Sequence, residues 1–124
     1  MVSDEEYHRL FEMFTNGFNQ EVVAELEPLY TADKNTLQNR EILLLITAYI
    51  KTFQLDKAKA VTECLLQTEP LPREIFLRAL VDLANILFQQ GKMEEALKFA
   101  QQLSRGKVKL PAHLAMLLFF PTRA

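Results

Sequence analysis

Apolar residues recur along the chain at three- and four-residue spacings, the pattern of one face of an α-helix, and short polar breaks separate these stretches. The first stretch stops at Asn16-Gly17 and places four apolar side chains on one face, namely Tyr7, Leu10, Phe11 and Phe14. We therefore predict a first helix over residues 4–15, with Ser3 as its N-cap. A second stripe covers residues 22–30, where Pro28 is expected to kink or end the helix.

The rest of the chain continues the same pattern. Stripes over residues 42–49 and 58–66 predict two helices, the second of which stops before Pro70. Residues 74–90 are apolar in every turn, and Gly91 follows at the position where a helix can end in the left-handed conformation. A sixth stripe covers residues 93–103 and ends at Gly106, and a last helix is predicted over residues 111–120, starting at Pro111. Seven helices and no strand candidate predict an all-α protein.

Composition narrows the class of protein. At 124 residues, 49% apolar and 24% charged, the chain is expected to form one domain over residues 1–124. Its longest apolar stretch, residues 114–120, is too short to insert across a membrane. The single cysteine, Cys64, cannot form an internal disulfide, and a basic and then apolar leader is absent from the start of the sequence, so we expect a cytoplasmic location.

Catalytic or metal-binding motifs are not apparent. His8 has Glu12 one turn on, but no second histidine completes a metal site, and a cysteine–histidine nucleophile would need Cys64 to meet a distant histidine. We therefore expect neither an enzyme nor a cofactor. The basic residues Arg105, Lys107 and Lys109 form one cluster, which we interpret as a solvated connector because the isoelectric point is about 5.7. Nucleic-acid binding is accordingly not expected.

Charge is unevenly distributed along the chain. Residues 1–34 hold eight acidic and two basic side chains, a net charge of −6, whereas residues 35–124 hold eight acidic and twelve basic side chains, a net charge of +4. This asymmetry could steer a partner or favour head-to-tail contacts between copies.

The helices also repeat. When Tyr49 is set over Leu87, the segments that start at Asn39 and Leu77 align at a spacing of 38 residues, and a unit from Ser3 precedes Asn39 by 36 residues. Such spacing indicates stacked antiparallel hairpins that bury their apolar faces on one another. The predicted hairpins cover about residues 3–34, 39–70 and 77–108, followed by a capping helix at about 111–120.

These units resemble the tetratricopeptide repeat, a helical hairpin of about 34 residues. The third unit carries the match on or near the family's signature positions at Leu80, Leu83, Ala84, Leu87, Gly91, Met93, Ala96 and Ala100. The second unit keeps Tyr49, Ala58 and Pro70 but has Ile46 where the family prefers a small residue. The first unit looks degenerate, because Glu6 and Arg9 take the place of packing residues. The resemblance implies a short solenoid of about seven helices.

In that family the first helix of each hairpin lines a concave groove. Carried over by position, the groove residues are Tyr7, Phe11, Phe14, Arg40, Leu43, Thr47, Ile50, Arg78, Val81, Asn85 and Phe88. They imply an apolar groove with a cationic edge, in which Arg40 and Arg78 hold acidic groups of a bound amphipathic helix. The alternatives are that the aromatic residues are core and that the two arginines make solvated or intrachain ion pairs. The last helix is either a cap or a second binding surface.

In its length and architecture the chain resembles the bacterial type III secretion chaperones that hold the needle subunit, which are short tetratricopeptide proteins. The resemblance implies a chaperone that keeps an amphipathic helix of its client monomeric in the cytoplasm, with a small helical co-chaperone. A scaffold or adaptor that joins two proteins, and a small helical enzyme or nucleotide-binding regulator, are the competing hypotheses.

Overall fold

The computed structural model describes residues 2–106 and 110–119, the last three of these by their backbone only. Within these ranges the chain forms seven α-helices and no strand, which confirms the all-α prediction. The helices are α1 (Asp4–Thr15), α2 (Asn19–Ala32), α3 (Asn39–Lys51), α4 (Leu55–Leu66), α5 (Arg73–Gln89), α6 (Met93–Arg105) and α7 (Ala112–Phe119), with a 3₁₀ turn at Lys34–Thr36. Lys107 and Lys109 of the basic cluster, and Phe120 at the predicted end of the last helix, lie outside the described residues.

Two helix ends show how local chemistry sets the boundaries. Helix α1 begins where predicted, because the Ser3 hydroxyl accepts a hydrogen bond of 3.2 Å from the Glu6 backbone N–H. Of the two predicted effects of Pro28, ending the helix does not occur, since α2 continues to Ala32, and the kink stays a prediction. Proline removes one N–H from the helix, and α2 closes one turn later, where the Asp33 N–H donates to the Leu29 carbonyl at 3.2 Å.

The same turn ends α1, α3 and α5. In each, an N–H just past the helix reaches back to a carbonyl five residues earlier, in the bonds Phe18 to Met13 (2.9 Å), Gln54 to Tyr49 (2.8 Å) and Lys92 to Leu87 (2.9 Å). The preceding residue is left-handed, with φ of +89° at Gly17, +59° at Phe53 and +81° at Gly91. The expected left-handed end at Gly91 is therefore confirmed. These three residues are separated by 36 and 38 positions, the spacing at which the sequence repeats.

The chain divides into two compact units, Met1–Val61 and Thr62–Ala124, and the boundary falls inside α4. In the first unit, α1, α2 and α3 pack on one another around buried residues that include Leu10, Val22, Leu26, Leu45 and Ile46. An ion pair also joins α1 to α2, because Arg9 donates to both carboxylate oxygens of Glu25 at 3.2 and 2.8 Å. This pair explains why an arginine occupies a position where the repeat expects a packing residue.

In the second unit, α5, α6 and α7 pack around a buried cluster formed by Leu83, Ala84, Leu87, Ala96 and Leu114. Ala84 and Ala96 are fully buried, which places small side chains where α5 and α6 meet. Helix α7 contributes the fully buried Leu114, whereas its Met116 is 57% exposed. The side chains of Leu117, Leu118 and Phe119, which bear on whether this helix is a cap or a binding surface, lie outside the described residues.

Candidate functional site

The aromatic side chains of α1 form a continuous row, which we call the aromatic row and which consists of Tyr7, Phe11 and Phe14. The ring centroids of Tyr7 and Phe11 are 6.1 Å apart and those of Phe11 and Phe14 are 6.4 Å apart, within the range of favourable ring contacts. Leu10, on the neighbouring face of the same helix, is buried, but Phe11 is 46% exposed. Phe11 is therefore a surface residue rather than a core residue.

The first turn of α3 brings a cation onto this row. The Arg40 guanidinium carbon lies 4.4 Å from the centroid of the Tyr7 ring, a cation–π contact. Arg40 also pairs with Asp4 at 2.6 Å and with the buried Glu41 at 2.7 Å. The hydrogen bonds that it donates to Glu41 and to Asp4 raise the pKa of Arg40. The charge of Arg40 is thus compensated within the chain, which agrees with the alternative that this arginine makes an intrachain ion pair.

The other predicted groove residues of α3 are less accessible. Leu43 and Thr47 are partly buried, and the Thr47 hydroxyl donates to the Leu43 carbonyl at 2.8 Å. Ile50 is buried, with 6% of its surface exposed. In the first unit, therefore, the exposed apolar surface among the predicted residues is provided mainly by α1.

The predicted groove residues of the second unit lie on α5, where α7 meets two of them. The Nε2 atom of His113 is 2.7 Å from Oδ1 of Asn85, and the His113 ring packs edge-on against Phe88 with centroids 5.1 Å apart. Phe88 also packs against the buried cluster of this unit. Val81 is partly buried. His113 consequently has a packing role, and a substitution at Phe88 would test the fold as much as any binding.

Arg78 is exposed on α5 and forms an ion pair with Asp82, one turn further on, at 3.5 Å. Asp82 itself is buried, and its Oδ2 atom has no hydrogen-bond partner in the part of the chain that the structure describes. Burial raises the pKa of Asp82 to about 6, although the nearby Arg78 lowers it. This buried carboxyl was not foreseen, because charged residues are mostly exposed, and the other charged residues of α5, Arg73, Glu74 and Arg78, do face solvent.

Sequence reasoning also missed two exposed aromatic residues at the helix-ending turns of the first unit. Phe18 is 52% exposed and Phe53 is 79% exposed. Phe53 occupies the left-handed position that glycine fills at residues 17 and 91. A bulky residue is rare in that conformation. The repeat spacing could have revealed the left-handed conformation of Phe53, since it aligns this residue with both glycines.

Within residues 2–106 and 110–119, no three histidine, cysteine, aspartate or glutamate side chains are grouped so that they could hold a metal ion. None of the described helices combines the length and the apolar character needed to cross a membrane.

No protein-family model, no curated protein and no solved structure matches this chain. The aromatic row offers an apolar surface about two helical turns long, with a bound guanidinium at one end and the exposed Phe11 at its centre. Such a surface can bind another apolar helix through contact area and ring packing.

Proposed function

We propose that this chain is a protein-binding helical module that holds an amphipathic helix of a partner on the aromatic row of α1 and the adjoining face of α3. The observation that carries the proposal is Phe11, a large aromatic residue that is 46% exposed in a continuous row with Tyr7 and Phe14. Exposed apolar residues in contact with one another mark binding surfaces more often than scattered ones do.

The dimensions of the row fit a helical partner. Tyr7 and Phe14 are seven residues apart on one helix, which corresponds to about 10 Å along its axis. A partner helix presents apolar side chains at the same period, at positions i, i+3 or i+4, and i+7. Two such helices can therefore pack along their length with their apolar stripes facing each other.

The finer form of this proposal is a chaperone with a tetratricopeptide-like solenoid arrangement. The identical turns at residues 17, 53 and 91 support a repeated hairpin, and the resemblance to needle-subunit chaperones of type III secretion supplies the client and the small helical co-chaperone. In this form the chain works in the cytoplasm and keeps its client monomeric. The alternative is a scaffold that joins two proteins without protecting either one.

Binding can be tested with a fluorescently labelled synthetic helix that carries a Leu/Phe stripe. We expect Phe11→Asp to abolish its binding, because a charge in the centre of the row would have to be desolvated by the partner. Phe76→Asp is the matched control, since Phe76 is 40% exposed and lies on α5 in the other unit. Both variants should keep the helical circular-dichroism signal of the parent chain. Equal affinity of both variants for the peptide, or no binding by the parent chain, would refute the proposal.

Light scattering separates the chaperone from the scaffold. A chaperone without its client is expected to self-associate through the uncovered row, and Phe11→Asp should then restore a monomer. A parent chain that is a stable monomer on its own, and that does not delay aggregation of an apolar client helix, would favour the scaffold.

A further inference from the structure

The charges around the aromatic row are mostly acidic. Helix α1 contains four carboxylates, at Asp4, Glu5, Glu6 and Glu12, and its one lysine or arginine, Arg9, pairs with Glu25 on α2. The cation next to the row, Arg40, is bound by Asp4 and Glu41. On α1, therefore, the charges that these ion pairs leave uncompensated are carboxylates.

Helix stability explains three of these carboxylates but not the fourth. Asp4, Glu5 and Glu6 stand in the first turn of α1, where negative charge is favoured by the helix dipole. Glu12 stands in the last turn, where the same dipole disfavours a carboxylate. No basic residue of α1 lies in that turn to compensate it. Glu12 is exposed, and none of the ion pairs in the described part of the chain includes it.

The position of Glu12 relates it to the row. It follows Phe11 in sequence and lies about 100° further around the helix, and Asp4 lies one helical turn before His8 and two turns before Glu12. Asp4, His8 and Glu12 thus form a polar stripe that begins next to the row and turns away from it, so that Glu12 lies about a quarter of a turn from Phe11. A side chain of a docked helix that projects past Phe11 would reach this stripe.

One end of the row already binds a cation of the chain itself. At the start of the row the Arg40 guanidinium lies over the Tyr7 ring at 4.4 Å and pairs with Asp4 at 2.6 Å, so a ring and a carboxylate hold one cation together. One turn on, the exposed Phe11 takes the place of Tyr7 and His8 takes the place of Asp4, and the next carboxylate of this stripe is the exposed Glu12, one turn beyond His8. No cation–π contact to Phe11 occurs among the described side chains.

We infer that the partner helix is basic: its apolar stripe is flanked by lysine or arginine residues, and one of them pairs with Glu12. This inference rests on the proposed binding of a helix to the aromatic row. Charge complementarity carries it, because a helix flanked by acidic residues would be repelled by the exposed carboxylates of α1, whose one arginine is already paired with Glu25.

Three synthetic helices of equal length and with the same Leu/Phe stripe test the inference, one flanked by Lys, one by Gln and one by Glu. At an ionic strength of ~0.1 M the Lys helix is expected to bind about tenfold more tightly than the Glu helix, as two or three exposed ion pairs would provide. At ~1 M salt the two affinities should converge, because the screening length falls to about 3 Å. Fluorescence anisotropy measures all three helices.

Variants of the chain locate the contact. Glu12→Gln is expected to weaken binding of the Lys helix about two- to fivefold and to leave the Gln helix unaffected. Glu21→Gln is the matched control, because Glu21 is an exposed carboxylate in the first turn of α2 and its removal changes the net charge equally. Phe11→Ala should weaken the binding of all three helices, which would show that they bind on the row.

The outcomes separate this inference from the proposed function. If the Lys and Glu helices bind equally tightly and Phe11→Ala weakens both, the row binds helices but the basic partner is refuted. If Glu12→Gln has no larger effect than Glu21→Gln, the pairing with Glu12 is refuted. If none of the three helices binds, the proposed function itself fails.

Discussion

Asp82 is a buried carboxyl whose ionisation should oppose folding. Its side chain is 8% exposed on α5, one oxygen has no hydrogen-bond partner among the described residues, and its nearest cation, Arg78, is 3.5 Å away and mostly exposed. Burial raises the pKa of Asp82 from 3.8 to about 6. Asp82→Asn keeps the size and shape of the side chain and removes the charge, so it isolates the electrostatic cost.

Proton linkage determines whether Asp82 stabilises or destabilises the fold as the pH rises. Because the folded chain holds this proton more tightly than the unfolded chain, the contribution of Asp82 to stability is full below pH 3.8 and declines as the pH rises through about 6. Above that pH the folded chain carries a buried charge. A pKa difference of this size corresponds to about 3 kcal/mol of unfolding free energy. We therefore expect Asp82→Asn to equal the parent chain near pH 4 and to exceed its stability by up to about 3 kcal/mol near pH 7.

Urea unfolding followed by circular dichroism at a series of pH values gives this difference directly. Comparing the two chains at each pH cancels the contribution of the other carboxylates. Arg78→Gln should act in the opposite direction, with a loss of stability near neutral pH and little change in acid. A stability difference between Asp82→Asn and the parent chain that is constant from pH 4 to pH 7, or a variant that is less stable at neutral pH, would refute the reasoning.

Three more predictions concern a turn, the packing of two helices and the pKa of Glu27. Phe53→Gly should be about 0.5–1 kcal/mol more stable than Phe53→Ala in urea, because both lose the exposed ring but only glycine adopts φ of +59° without strain; equal stabilities would contradict this. Ala96→Leu should lower the unfolding free energy by about 1–3 kcal/mol through overpacking where α5 meets α6, whereas Ala24→Leu on exposed surface should change it little. Glu27 accepts hydrogen bonds from Tyr49 (2.8 Å) and Lys57 (2.9 Å), which lower its pKa, so Glu27→Gln should flatten the loss of stability seen on acidification below ~pH 4.5. Parallel acid-side curves would refute the last prediction.

The helices could be predicted from the sequence because their boundaries depend on neighbouring residues. Ser3 caps α1 through a residue three positions away, and Gly91 ends α5 through bonds to residues of the same helix. Two outcomes stayed open at Pro28, because proline removes one hydrogen bond and sequence alone does not reveal whether the remaining bonds are enough to continue a helix.

The site could be predicted only in part, because its decisive contacts join residues far apart in the chain. The three aromatic residues of the row share one helix, so their periodicity was sufficient to group them. Arg40 meets Asp4 from 36 residues away, and His113 meets Asn85 from 28 residues away. Neither contact leaves a local pattern, and the burial of Asp82 depends equally on how helices pack.

The ion pairs of the two arginines change the sign of the charge expected at the site. From sequence, Arg40 and Arg78 formed a cationic edge suited to an acidic partner. In the folded chain Arg40 pairs with two carboxylates and Arg78 with one, so both arginines already have ion-pair partners in their own unit. Glu12 is left exposed beside Phe11, at a helix end where its charge is disfavoured. A basic partner helix would compensate this charge on binding, whereas an acidic one would add to it.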